Sequence, residues 1–410
     1  MPRKKKAEKV VEDFKEGNYK FFAKDIESSI PGTQVVNPSE LDNPDGNSTG
    51  SLNLDVDLGV PFPEGCMIEV IGDEGSFKTA IALEAIGYAL MAGKHAAYIN
   101  LENSGSRRTF DNIRSVKDQI ALDEHKLRMF NVDGGEAALN VLKRFVEEFP
   151  KSLVVFDSID AAVPEGSLAK DIGDKSVGDL PRLMSDACRK LAPSIRKTGS
   201  TIVFINQLRE KIGVMYGDPS TSSGGRAVKF YSTQRIRMLK PGKAQTKTDA
   251  DGNQIGVIAR YKILKNRYGP INIDGEFPIL FGNGVFRQWE IMERAVLLGV
   301  LQLGGRGGKQ ILLPKRVRRE DGEIEYTIVD KENKFTFIAM KKIDASRRLL
   351  LDQTLSAHIE GQIFDIIDPM AFEAAEEFME EDDEICDADG EGDVGRSAAE
   401  QVPSEERASQ

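Results

Sequence analysis

Gly72-Asp73-Glu74-Gly75-Ser76-Phe77-Lys78-Thr79 has the spacing of a phosphate-binding loop, with glycine first and a Lys-Thr pair last. In such a loop successive backbone N–H groups and a helix N-terminus surround a β-phosphate. Lys78 then brings positive charge to the β and γ oxygens, and the Thr79 hydroxyl holds Mg²⁺. Phe77 stands where glycine is usual. It still offers a backbone N–H, but it restricts φ and fills space. The competing reading is a glycine-rich strand–helix turn without a ligand. Two carboxylates supply the rest of the chemistry. Asp157 closes the apolar run Leu153 to Phe156, where a carboxylate reaches the Mg²⁺ shell through water. Glu102, just past Ala96 to Asn100, is placed to orient and deprotonate an attacking water. Alone, a carboxylate at a strand end is more often a cap or a solvated loop residue. Together these residues call for ATP and Mg²⁺.

The elements that must position them alternate. Cys66 to Ile71 reads as a buried strand, Lys78 to Met91 as a helix and Ala96 to Asn100 as the next strand. Leu153 to Phe156 and Thr201 to Ile205 are further strands, with a helix from Leu180 to Lys197 between them. This order predicts an α/β fold, a mostly parallel sheet with helices on both faces. Ile255 to Leu264 and Phe277 to Phe281 extend it. Upstream, Glu8 to Lys24 has apolar residues at helical spacing (Val11, Phe14, Tyr19, Phe22) but is too short to bury them alone. Residues 29–50, rich in Pro, Gly, Asn and Ser, read as a linker. The expected division is an N-terminal helix and linker at 1–47, a core at 48–288, a small α+β domain at 289–368 and an acidic, disordered tail at 369–410.

The chain has 410 residues, 40% of them hydrophobic, enough for a substantial core. No run of eighteen apolar residues occurs, and Met1-Pro2-Arg3-Lys4-Lys5-Lys6 leads into charge rather than an apolar signal segment, so the expectation is a cytoplasmic protein outside membranes. Cys66, Cys188 and Cys386 form no metal-binding pattern, and the first two read as small buried apolar residues. The net charge of -11 opposes nucleic-acid binding only if it is evenly spread. It is not: Glu373 to Gln410 hold 15 acidic and 2 basic residues. The body is near neutral.

Beyond the phosphate loop, Phe204-Ile205-Asn206-Gln207-Leu208-Arg209-Glu210-Lys211-Ile212-Gly213-Val214-Met215-Tyr216-Gly217, continuing through Gly224-Gly225 to Lys229-Phe230-Tyr231, resembles the RecA recombinases. Ser48 to Asp55 and Val154 to Ser158 are similar to two further segments of that family, and the likeness runs from about Ser48 to Phe286. Phe77 is similar to phage members with a bulky residue there, which points to a phage or prophage origin. The resemblance implies a P-loop fold of RecA type. It gives Glu102 the role of activating water, makes Gln207 the γ-phosphate sensor, and sets Lys265 and Arg267 as cations acting on the nucleotide of a neighbouring protomer. The implied assembly is a head-to-tail helical filament on single-stranded DNA that exchanges strands with homologous duplex DNA. Glu8 to Lys24 would dock on a neighbour, and Phe230 belongs to the same interface.

The loop after Gln207 also makes sense from its own residues. Gly213, Gly217, Pro219, the Ser/Thr run Ser220 to Ser223 and Gly224-Gly225 give a mobile segment in which Met215 and Tyr216 offer surface for bases, while Arg209, Lys211 and Arg226 offer charge for phosphates. An ordinary active-site lid is the alternative. Glu165 to Gly178 matches the family's other DNA loop. Arg182 and Arg189 share a helix face suited to the DNA backbone, or simply to solvent. After Glu102 the family's usual contacts to adenine are missing, which leaves Phe110 to stack on the base. Lys309, Lys315, Arg316, Arg318 and Arg319 are assigned to duplex DNA, with the acidic tail competing for them. Two other readings share parts of this pattern: a hexameric helicase of the same core fold, and a non-catalytic ATP-binding regulator.

Overall fold

The computed structural model describes residues 25–30, 43–102, 107–123, 125–168, 171, 178–210, 220–248, 251–304, 310–318, 324–327, 337–341, 349, 354–364 and 366–367. The expected helix Glu8 to Lys24, the loop residues Lys211, Met215 and Tyr216, the basic residues Lys309 and Arg319, and the acidic tail lie outside them. The chain divides into two compact units, Met1–Val285 and Phe286–Gln410.

In the first unit, α1 (Leu52–Leu58) precedes β1 (Met67–Gly72), α2 (Lys78–Met91) and β2 (Ala96–Asn100). Then come α3 (Arg107–Asp111), α4 (Arg114–Leu122), β3 (Leu127–Asn131), α5 (Gly135–Glu148) and β4 (Leu153–Asp157). The chain continues through α6 (Glu165–Leu168), α7 (Asp179–Thr198), β5 (Thr201–Glu210), β6 (Ser220–Ser222), α8 (Gly225–Tyr231) and β7 (Gln234–Leu239). It closes with β8 (Thr246–Thr248), β9 (Gln254–Asn266), β10 (Asp274–Leu280) and β11 (Gly284–Val285). The sheet order is β11-β10-β9-β7-β1-β5-β4-β2-β3, with β6 on β5 and β8 on β9. From β7 to β3 every pairing is parallel, whereas β9, β10 and β11 add on antiparallel.

The central parallel strands β1, β2 and β4 are buried along their whole length, which is why they read as nearly continuous apolar runs, while the edge strand β3 is partly open. Their side chains alternate between two cores. Leu153, Val155, Val203, Ile205 and Tyr98 face the core under α2, while Val154, Phe156, Ile202, Phe204 and Ile99 face the one under α5 and α7. Phe156 and Phe204 meet edge to face at 5.6 Å. On α7, Met184, Ala187, Cys188, Leu191 and Ile195 form the buried stripe, so Arg182 and Arg189 lie on the exposed side. Ser48 to Asp55 builds a helix start: Ser51 caps α1, and the buried Asp55 accepts bonds from the Ser48 hydroxyl and from the Thr49 N–H and hydroxyl.

Cys188 is buried as expected, and burial pushes its thiol up to about 12. Cys66 is only half-buried, because it sits just before β1, with its Sγ 4.0 Å from the Tyr268 hydroxyl.

The second unit holds α9 (Arg287–Leu297), the antiparallel strands β12 (Gln302–Gly304), β13 (Gln310–Arg318), β14 (Ile324–Thr327) and β15 (Phe337–Lys341), and a helix at 354–364. Arg287 pairs with Glu360 at 2.5 Å inside it. Of Lys315, Arg316 and Arg318, only the strand backbone is described. No helix among the described residues is long and apolar enough to cross a membrane.

Candidate nucleotide site and DNA loop

The phosphate loop leaves the carboxyl end of β1. A Cβ on Gly72 would collide with the Met238 carbonyl and the Ser76 hydroxyl, so only glycine permits this approach. Gly75 (φ 74°) and Phe77 (φ 67°, ψ 24°) both adopt left-handed conformations. Phe77 thus takes the backbone shape that favours glycine, at a cost of roughly 1–2 kcal/mol, while its half-buried ring packs against the core under α2. Recovering the strain and losing the ring contacts act in opposite directions. Phe77→Gly is therefore expected to shift unfolding stability by less than about 1 kcal/mol, as read by urea denaturation. A loss of several kcal/mol would mean that the ring, not the backbone, governs the loop.

Helix α2 begins at Lys78 with no side-chain cap and no acidic residue in its first turn. Its leading N–H groups are available to an anion. Lys78 is buried, with its Nζ donating to the Asp73 carbonyl at 2.7 Å, and the Ser76 hydroxyl donates to the same oxygen at 2.7 Å. Burial holds the Lys78 ammonium below its usual range, opposed by the charges of Asp157 and Glu102. An incoming polyphosphate would relieve that penalty.

Below the loop, one oxygen of Asp157 accepts from the Thr79 hydroxyl at 3.1 Å and from the Tyr98 hydroxyl at 2.6 Å. Burial pushes the Asp157 carboxyl above its ordinary value, and the Tyr98 bond works against that shift. The hard-oxygen pair Thr79 and Asp157 fits the shell of a Mg²⁺ ion. The peptide between Asp157 and Ser158 is cis. Glu102 is exposed, and its Oε1 accepts from the Ser158 hydroxyl at 2.6 Å and from Gln207 Nε2 at 3.4 Å. Lys78, Thr79, Glu102, Asp157 and Gln207 therefore converge at one edge of the sheet.

Past Gln207, β5 continues to Glu210, and Leu208, Arg209 and Glu210 pair with Ser222, Thr221 and Ser220 of β6. The Ser/Thr run is thus a strand rather than part of a mobile segment, and Arg209 lies on the facing strand. Gly224 (φ 80°) precedes α8, where a Cβ would press on Ile159 at 3.0 Å, and Gly225 (φ 75°) packs as closely on Pro181. Packing accounts for this glycine pair, in place of the expected mobility. Arg226, beside it, is exposed. The stretch Glu165 to Gly178 opens with the short helix α6.

Phe110 does not serve as a base platform. It is buried, edge-on to Tyr98 at 5.6 Å, because the α3 turn folds it into the core. Lys265 also differs from a free cation: its Nζ donates to the carbonyls of Lys229, Phe230 and Ser232 at 3.0, 3.0 and 2.6 Å, tying down the end of α8. Burial, and then the charges of Arg267 and Arg235, hold its ammonium below the usual range. Arg267 is exposed, and Phe230 is 70% exposed. Both line a cavity of about 550 Å³ with Arg196 and Tyr268.

The sequence reading missed Tyr98, Asp160, Asn206 and Glu69. Glu69 is fully buried and accepts from Asn206 Nδ2 at 2.8 Å and from Arg235. An acid inside the run Met67-Ile68-Glu69-Val70-Ile71 was the available signal, since a buried carboxylate demands a partner.

Residues 26–286 match the family model described as the RecA N-terminal domain. A RecA protein of Chloroherpeton thalassium is 39% identical over 259 residues, 63% of this chain and 70% of that one. A RecA protein of Bacteroides thetaiotaomicron is 39% identical over 261 residues, 63% of this chain and 75% of its own. A solved RadB recombinase structure aligns over 58% of this chain and 98% of its own, at 22% identity and a TM-score of 0.42.

Proposed function

The chain belongs to the RecA family of ATP-dependent recombinases, which act in recombination and repair, and from this we propose that it assembles head-to-tail on single-stranded DNA and drives strand exchange with nucleotide bound between protomers. The observation that carries the assembly is the strand register. Lys265 pairs with Arg235, which pairs with Glu69 of β1. The P-loop starts at Gly72, three residues further along β1, about 10 Å at strand spacing. Because β9 runs antiparallel, Arg267 continues away from that edge. One protomer therefore carries its phosphate loop and its paired cations at opposite ends of the sheet. Cations so placed reach a nucleotide only on a neighbour, and a surface that meets a different surface on the next copy is head-to-tail. When the rotation between copies does not close, the product is a helical filament. Phe230, exposed beside Arg267, suits the same contact.

Within the site, Lys78 neutralises the β and γ oxygens and the P-loop N–H groups orient them. Mg²⁺ would be held by the Thr79 hydroxyl, with Asp157 reaching it through water, and supplies charge neutralisation when bound. Glu102, aligned by Ser158, accepts the proton of the attacking water. Gln207, beside Glu102 and at the root of the loop, reports the γ-phosphate to the DNA segment carrying Arg209, Lys211, Met215, Tyr216 and Arg226. Arg182 and Arg189 on α7 contact phosphates. Duplex DNA is gathered by the basic residues from Lys309 to Arg319.

Strand exchange with ATP, together with electron microscopy of the protein on single-stranded DNA with an ATP analogue, tests this reading. Joint products and open helical filaments are expected; closed six-fold rings would reject it. Glu102→Gln keeps the bond from Ser158 but removes the base. Its turnover is expected to fall by about 10²–10⁴ while the ATP dissociation constant changes little, as single-turnover kinetics and nucleotide binding can separate.

A further inference from the structure

We infer that Asp160 is a positioning residue that fastens both stems of the DNA loop to the turn beneath the nucleotide. Asp160 lies three residues beyond Asp157, in a turn pinned to β5 by the bond from Ile159 N–H to the Ile205 carbonyl at 3.0 Å. Its two carboxylate oxygens point to different segments. Oδ2 accepts the backbone N–H of Gln207 at 2.8 Å, and Oδ1 accepts the hydroxyl of Ser223. Gln207 is the last residue before the β5–β6 ladder, and Ser223 is the first after it. One carboxylate thus spans the base of the loop from stem to stem.

Ser223 is gripped a second time, since its carbonyl accepts from Asn206 Nδ2 at 2.9 Å. Among the described residues three pairs join β5 to β6, so that ladder alone is a weak closure. Fixing the Gln207 N–H also fixes where its side chain meets Glu102. A shift of Gln207 toward or away from the nucleotide is then passed through Asp160 to Ser223, at the far end of the loop. Asp160 contacts no reacting atom; it acts through Gln207 and Ser223. The inference rests on the reading that residues 208–222 bind DNA.

The test uses the full chain with Asp160→Ala, Asp160→Asn and Ser223→Ala. ATP turnover is measured with and without oligo-dT, and oligo-dT affinity with and without a non-hydrolysable ATP analogue. Asparagine can offer its oxygen to the Gln207 N–H and its NH₂ to the Ser223 oxygen, so it preserves the span. Asp160→Ala is expected to cut both the stimulation by oligo-dT and the analogue-induced tightening by about tenfold, the size of a lost hydrogen bond to a charged group. The KM for ATP without DNA should stay within about twofold, Asp160→Asn should retain most of both couplings, and Ser223→Ala should add little to Asp160→Ala. Wild-type coupling in Asp160→Ala, or an equal loss of basal and stimulated turnover, overturns the proposal. If Asp160→Ala does not fold, wild-type coupling in Ser223→Ala overturns it instead. Wild-type protein that does not respond to oligo-dT at all defeats the DNA-loop reading rather than the role of Asp160.

Discussion

Lys78→Ala is expected to lower ATP turnover by at least about 10²–10³, the usual consequence of removing one charged donor from a polyphosphate transition state. The ammonium sits at the start of α2, where the phosphate loop ends, and its Nζ reaches back to the Asp73 carbonyl at the loop's beginning. The expected effect on stability has the opposite sign. Burial depresses the Lys78 ammonium, so without nucleotide the folded chain bears the cost of a charge out of water. That cost is complete below the folded pKa, where both states are protonated. It fades as the pH rises from there toward the ordinary lysine value of 10.5, a window in which the unfolded chain holds the extra proton. Lys78→Met keeps the stem and drops the charge. At neutral pH and without nucleotide it should melt at or above the wild-type temperature, and the gap should narrow on the alkaline side. ATP should raise the melting temperature of the wild type and hardly that of the variant. Retained turnover, or an equal rise with ATP, would show that Lys78 does not face the phosphates.

Some of this site was legible because it obeys local rules. A buried parallel strand must be apolar on both faces, so β1, β2, β4 and β5 stand out as short runs, and the residues just past their carboxyl ends fall at one edge. Gly72 to Thr79, Glu102 and Asp157 follow from that alone. What escaped depends on contacts between distant segments. Asp160 and Ser223 are 63 positions apart, and nothing at either position announces the other. Phe110 read as a free ring because its burial is decided by how α3 and α4 fold back over α2. Lys265 read as a free cation because the three carbonyls that hold it belong to the last turn of α8 and the Ser232 just after it, more than thirty positions upstream. The Ser220 to Ser222 strand has no apolar alternation; β5, running on past the core, creates the edge on which it pairs.

The grip on Lys265 determines how catalysis across the junction should be tested. Lys265→Ala would remove a cation and also release three carbonyls at the end of α8, so lost turnover would have two causes. It should lower stability by about 1–3 kcal/mol in urea, whereas Arg267→Ala, at an exposed position, should leave stability nearly unchanged. Arg267 is therefore the cleaner probe. Alone, Arg267→Ala is expected to reduce DNA-stimulated turnover by about 10³, as for an arginine supplied in trans to phosphoryl transfer. Mixed in equal amounts with Lys78→Ala, it should regain activity. A junction with an intact phosphate loop on one side and an intact Arg267 on the other forms in about a quarter of random neighbours, so recovery to about a quarter of wild-type turnover is expected. Mixing Lys265→Ala with Lys78→Ala should also restore turnover, though less fully, because the loosened α8 stays with the protomer that supplies the phosphate loop. Recovery in neither mixture would place the whole reaction inside one protomer, which the register of β1, β7 and β9 opposes: it sets Lys265 and Arg267 at the far end of the sheet from Lys78.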